Sequence, residues 1–240
     1  MPPCTTEHFF NGKLKIHQPE NGYRFSVDPF VLSAHAQPHP GDKIMDIGCG
    51  CGIISLILCL RTPDLCITAV EIQEELALIA RENVKRNQRR QEIRVLHKDI
   101  RRMISPELLG SQDMVISNPP YKKQAHGRIN PHPQKAMARH ELTLTLDTLI
   151  KIASKCLKPN GVFHAIYPVL RLPELLTALA KERLAPETLK FIHPRKTKNA
   201  KLFMVKARKH RNSEISILPP LYLHTAGGGQ SKALQRIQQC

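Results

Sequence analysis

Asn118-Pro119-Pro120-Tyr121 follows directly on the apolar run Asp113-Met-Val-Ile-Ser117. Consecutive prolines fix φ twice and remove two backbone N–H donors, so the loop is stiff and its carbonyls stay free to accept. An Asn side-chain carbonyl, a proline carbonyl and an aromatic ring at a strand end form a small rigid pocket. Such a pocket accepts two hydrogen bonds from an –NH2 group and stacks on a flat ring. The chemistry it suits is that of a planar amine or amide.

A second constellation lies upstream in Lys43-Ile-Met-Asp-Ile-Gly-Cys-Gly-Cys-Gly52. Ile44, Met45 and Ile47 read as a short buried strand of a parallel sheet. Gly48, Gly50 and Gly52 allow a sharp turn and a close ligand approach. The apolar run Ile53–Leu60 reads as a helix whose free N–H groups and positive dipole end point back at that turn. A strand carrying Asp46 and then Gly-x-Gly-x-Gly is a nucleotide-type cofactor cradle. The next apolar run, Leu65–Val70, ends in Glu71, 25 residues beyond Asp46, where an acid is placed to hold a ribose hydroxyl pair. Glu92–His97 reads as a third strand running into Lys98-Asp99-Ile100. Asp99 suits either an adenine amino group or the cap of a helical turn. Dinucleotide-binding and methyltransferase folds share this much, and the Asn118–Tyr121 loop separates them.

The elements that must position these residues follow from periodicity. A short helix is expected over Pro29–Ala36. Leu76, Ile79, Ala80 and Val84 repeat at helical spacing within Gln73–Asn87. Thr143–Leu157 reads as a helix stopped by Lys158-Pro-Asn-Gly161, then Val162–Tyr167 as a strand. A helix over Leu172–Lys181 carries Pro173 in its first turn. Leu189–His193 and Lys201–Ala207 read as strands joined by a basic turn. This alternation predicts an α/β, doubly wound, mostly parallel sheet ending in an antiparallel hairpin. The organisation expected is one domain: residues 1–42 as an N-terminal segment over the cofactor pocket, frayed over 1–8 and turning at Gly12 and Gly22; a core over 43–211; and a flexible tail over 212–240.

The 240 residues carry a formal net charge of +16, more than a small neutral substrate calls for and suited to a phosphate backbone. No acid lies between Met114 and His140, where Lys122, Lys123, Arg128 and Arg139 line an aperiodic loop beside the amine pocket. Lys190–Arg211 holds nine Lys or Arg and no acid, including Arg195, Lys196 and Lys198. These runs lack dense aromatic interleaving, which points to shape and phosphate recognition. The seven scattered cysteines form no Cys-x-x-Cys pair, so reduced thiols of a cytoplasmic protein and no metal are expected. No apolar run approaches a membrane span. Nothing specifies an oligomer, and a monomer is the default.

Together the Asp-x-Gly-x-Gly-x-Gly and Asn-Pro-Pro-Tyr motifs resemble the class I S-adenosylmethionine-dependent methyltransferases that modify exocyclic amines and amides. Phe10-Asn-Gly-Lys13, Gln18–Asp28 and Arg139-His-Glu141 are similar to the valine-tRNA adenine N6-methyltransferase family, over roughly residues 9–208. The resemblance implies a Rossmann-like fold of seven strands with an antiparallel last strand. It implies S-adenosyl-L-methionine as cofactor, held by Arg24, Asp28, Asp46, Gly48, Cys49, Gly50, Gly52, Glu71, Ile72, Asp99, Ile100 and Asn118. It also implies tRNA or another RNA as partner, contacted by the loop cations and by Arg195, Lys196 and Lys198. Asn118 and Pro119 would then polarise the amine of an unstacked adenosine, with Pro120 stiffening the loop and Tyr121 stacking on the base. The competing readings are a glutamine N5-methyltransferase acting on release factors, a DNA adenine methyltransferase, and a non-catalytic RNA-binding protein on the same scaffold. A short, Pro- and Gly-punctuated N-terminus and the positive charge weigh against the first. No target-recognition region is seen for the second, and the intact motifs oppose the third.

Overall fold

A computed structural model describes residues 3–21, 24–103, 106–119, 144–210 and 214–239. The chain opens with an antiparallel hairpin, β1 (Cys4–Phe9) and β2 (Leu14–Pro19). Its turn takes Phe10, Asn11 and Gly12 through positive φ. Residues read from sequence as frayed are thus a paired strand from Cys4 onward.

The α/β core follows: α1 (Asp28–Ala36), β3 (Lys43–Ile47), α2 (Ile53–Arg61), β4 (Cys66–Glu71), α3 (Glu74–Arg86), β5 (Ile93–His97), β6 (Gln112–Ser117), α4 (Leu146–Cys156), β7 (Leu157–Pro168), α5 (Leu172–Lys181), β8 (Leu184–His193) and β9 (Leu202–Lys209). Thr145 caps α4 by accepting the Thr148 N–H. The helix ends at Cys156, just before the expected stop, and Lys158–Gly161 already belongs to β7, with Asn160 at φ 63°.

The sheet has eight strands in the order β10-β8-β9-β7-β6-β3-β4-β5, where β10 is Ser216–Tyr222. Strands β5, β4, β3, β6 and β7 run parallel, and β9 is antiparallel to both β7 and β8. This is the doubly wound sheet expected, with one strand added. That strand and α6 (Lys232–Gln239) occupy the stretch read as a flexible tail. β10 lies at the sheet edge, where Pro219 and Pro220 fall at a break in its register with β8 and forfeit no interior ladder bond.

Alternation along β3 divides the core. Ile44 faces α1, α2, α3 and the hairpin; Met45 and Ile47 face α4 and α5; all three are buried. α3 grips β2 through two asparagines one turn apart. Asn83 and Asn87 each pair with both the N–H and the C=O of one β2 residue, His17 and Lys15 respectively. They stand in for a missing neighbouring strand.

Candidate cofactor and amine site

The site lies where the parallel strands β3, β4, β5 and β6 end. After Ile47 the chain turns through Gly48, Gly50 and Gly52 at φ 72°, 58° and 83°. The turn hangs on β4, since the N–H groups of Gly48 and Cys49 both donate to the Val70 carbonyl at 2.9 and 3.1 Å. At Gly52 the left-handed backbone coincides with close packing: a Cβ there would lie 3.5 Å from the Ala80 Cβ. At Gly48 the space is open, with nothing within 4 Å of a Cβ position. Open room over a turn that presents its backbone is what a ligand needs.

Two carboxylates sit under the turn. Glu71 is buried; its Oε2 accepts the Gly50 N–H at 2.9 Å and its Oε1 the Gln73 N–H at 2.8 Å. Burial pushes the Glu71 carboxyl up, and those backbone donors oppose the push. Asp46 is fully buried; Ser55 Oγ donates to its Oδ2 at 2.7 Å, while Oδ1 has no hydrogen-bond partner among the described residues. Desolvation raises this carboxyl to about 7. Two neighbouring carboxylates with one orphaned oxygen fit a ligand that brings hydroxyl and amino donors.

Asp99 follows β5 and caps the 3-10 turn Ile100–Arg102, accepting the Arg101 N–H at 3.0 Å. The Arg101 guanidinium also clamps both its oxygens, at 2.6–3.0 Å, and holds the carboxyl below its usual range. Ile100 is buried beside it, and Ile72 is held through its carbonyl, 3.2 Å from His97 Nε2.

Asn118, half-buried, and Pro119, buried, continue directly from β6. Ser117 Oγ donates to the Ile47 carbonyl at 2.7 Å, tying the end of β6 to the residue before Gly48. Asn118, Pro119 and the glycine turn are thereby held side by side. Pro120, Tyr121, Lys122, Lys123, Arg128 and Arg139 lie outside the described residues. Asp28 is buried at the start of α1. Arg24 is seated on the hairpin, bonded to Thr5 Oγ1 and the Pro19 carbonyl and ion-paired with Glu7. Arg195, Lys196 and Lys198 are exposed in the turn after β8, on the same edge of the sheet as Asn118.

Sequence reading missed four positioning residues: Ser55, Asn83, Arg101 and Ser117. Asn83, fully buried, also donates to the Cys51 carbonyl at 2.9 Å, joining turn, helix and hairpin. The legible signal was an uncharged polar residue inside an apolar stripe. The thiols of Cys51 and Cys59 are buried and pushed up to about 12, so they are inert. Among the described residues no cluster of three His, Cys, Asp or Glu is placed to hold a metal, and no helix is long and apolar enough to cross a membrane.

The family described as methyltransferase small domain matches residues 29–182, and the chain belongs to it. A relative from Porphyromonas gingivalis, 35% identical over 77% of this chain and 74% of its own length, is named tRNA1(Val) (adenine(37)-N6)-methyltransferase. A relative of the same name from Dyadobacter fermentans is 29% identical over 92% of this chain and 90% of its own. Among solved structures, a predicted O-methyltransferase from Agrobacterium tumefaciens superposes with a TM-score of 0.70 at 20% identity, covering 88% of this chain and 94% of that one. That likeness concerns the fold.

Proposed function

We propose that the chain transfers a methyl group from S-adenosyl-L-methionine to N6 of an adenosine in tRNA, adenosine 37 of the valine tRNA, in the cytoplasm. One observation carries the reading. The Ser117–Ile47 hydrogen bond, which ties the strand end before Asn118 and Pro119 to the open turn at Gly48, supports a methyl donor and an amine meeting there. The relatives' shared name supports the choice of acceptor.

Glu71 takes the ribose hydroxyls of the cofactor with lone pairs not used by Gly50 and Gln73. Asp99 and the Ile100 backbone take the adenine, with Ile72 against it. The turn at Gly48, Cys49, Gly50 and Gly52 takes the methionine portion, Asp46 supporting it from below and Asp28 and Arg24 closing over it. The bound cofactor supplies an electrophilic methyl carbon on a sulfonium. Asn118 Oδ1 and the Pro119 carbonyl each accept one hydrogen of the target amine, which turns the nitrogen lone pair out of ring conjugation and aims it. Pro120 keeps the loop rigid and Tyr121 stacks on the flipped base. With its lone pair so aimed, the amine would attack that methyl carbon with loss of the sulfur leaving group and shed its proton to water afterwards, so no strong base is required of these residues. Arg195, Lys196 and Lys198, with Lys122, Lys123, Arg128 and Arg139 of the loop after Tyr121, hold phosphates and position the strand without reading its sequence.

The test supplies labelled cofactor with unmodified total tRNA in one reaction and a release factor in another. Label in N6-methyladenosine from the tRNA supports the reading. Label on the release factor overturns it in favour of a glutamine acceptor.

A further inference from the structure

The register of four strands gathers cations on one face of the sheet. Pairing sets His164 of β7 opposite Lys206 of β9, and Lys206 opposite Thr188 of β8. The next row sets Met204 opposite Lys190, and Lys190 opposite Leu218 of β10. The other face of β7 and β9 buries Phe163, Ala165 and Phe203 against α4 and α5. The cationic face looks instead into a cavity of about 430 Å3 roofed by the end of α1 at Leu32, His35 and Ala36. Gln37 and His39 also line it, and its floor rises to the level of Asn118, since His164 pairs with Ile116 and Ala165 with Ser117 on β6.

A solvated lysine face does not account for three features. His164 is only 3% exposed, yet its Nε2 has no hydrogen-bond partner among the described residues. Lys190 is half-buried with no ion-pair partner among them, and burial lowers its pKa. Lys206 and Arg208 share the single carboxylate of Glu187. Among the described residues no carboxylate lines the cavity, and Lys190, Lys206 and Arg208 have only Glu187 among them, two more cations than anions. The acids Asp42 and Asp113 border an adjoining recess of about 300 Å3, where Asp113 is paired with Lys158 at 2.6 Å. His35 Nδ1 is bound to the Val31 carbonyl at 3.0 Å, which leaves its other nitrogen as an acceptor.

We infer that this cavity binds a phosphate monoester of mononucleotide size: its dianion meets Lys190, Lys206 and the Thr188 hydroxyl, and its flat body lies on Leu218 and the edge of Met204 with His164 as its buried polar contact. The volume falls in the range of small-ligand pockets, about 300–1,000 Å3, and polar side chains share the lining with apolar ones. A dianion balances the two surplus cations, and a charge-assisted bond to a desolvated lysine is the strong kind.

The test titrates the full chain with adenosine monophosphate and, separately, inorganic phosphate, by calorimetry with saturating S-adenosylhomocysteine present to keep the nucleotide out of the cofactor cleft. Saturable nucleotide binding is expected, tighter than inorganic phosphate and weakened about tenfold or more by Lys190→Gln. Leu218→Trp, on an edge strand where bulk is tolerated, should block it while S-adenosylhomocysteine still binds. No saturable nucleotide binding, equal affinity for inorganic phosphate, or no effect of Lys190→Gln would each overturn the assignment. Displacement of the nucleotide by tRNA would also overturn it, giving these cations to the RNA backbone.

Discussion

Two regions of the sheet, the strand ends under the glycine turn and the face beneath the end of α1, treat buried charge in opposite ways. Under the glycine turn, three of the four oxygens of Asp46 and Glu71 are met by donors and the surplus is anionic. Beneath the end of α1 the surplus is cationic, and the buried His164 ring is left neutral. Each region is short of what its own ligand would bring: hydroxyl and amino donors at the first, an anion at the second. Unsatisfied buried polar groups in a well-packed fold are expected to have a reason, and a ligand is one.

The sharpest way to separate the regions is Asn118→Ala. Methyl transfer should fall about 10²- to 10³-fold, the scale for losing one preorganised transition-state contact, while adenosine monophosphate binding stays unchanged. A fall in both would show that the regions are not independent. Glu71→Gln removes a charged acceptor from the cofactor edge alone; S-adenosylhomocysteine affinity should drop about tenfold by calorimetry, and an unaltered affinity would remove Glu71 from the site.

The pH dependence of stability should split the same way. The folded state raises Asp46 from 3.8 to about 7, so the folded protein binds the extra proton and this group's contribution to stability falls as pH rises through that window. The folded state lowers His164 from 6.5 to about 3, so here the unfolded chain binds the extra proton and stability falls as pH drops through that window. In thermal melts of the ligand-free protein, Asp46→Asn should flatten the decline as pH rises from 3.8 to about 7, and His164→Asn the decline as pH falls from 6.5 to about 3. The smallest effect is expected from Arg101→Ala. A half-exposed pair contributes only about 0–1 kcal/mol, so releasing Asp99 should raise S-adenosylhomocysteine affinity by less than about fivefold.

The cofactor edge was largely legible because its chemistry is local: glycines, strand ends and Asn118-Pro119 are adjacent in sequence, and backbone continuity does the positioning. Arg101 escaped notice because a clamp on an acid two residues away looks like one more surface cation. The seat of Arg24 was not legible, because Thr5, Glu7 and the Pro19 carbonyl meet it only once the hairpin closes. The far cavity left no trace in sequence. His164, Lys206, Thr188 and Lys190 meet through the register of β7, β9 and β8, and a one-residue slip would send each to the other face. β10 was hidden for a related reason: Pro219 and Pro220 argue against a strand anywhere except at an edge.

Everything proposed for the Asn118 edge turns on its accepting an adenosine amine. That is tested most directly by incubating the protein with S-adenosyl-L-methionine and unmodified valine tRNA and mapping the product by mass after nuclease digestion. The account predicts one added methyl, on N6 of adenosine 37, absent with Asn118→Ala. A methyl at another position of the tRNA, or none while S-adenosylhomocysteine still binds, would contradict it.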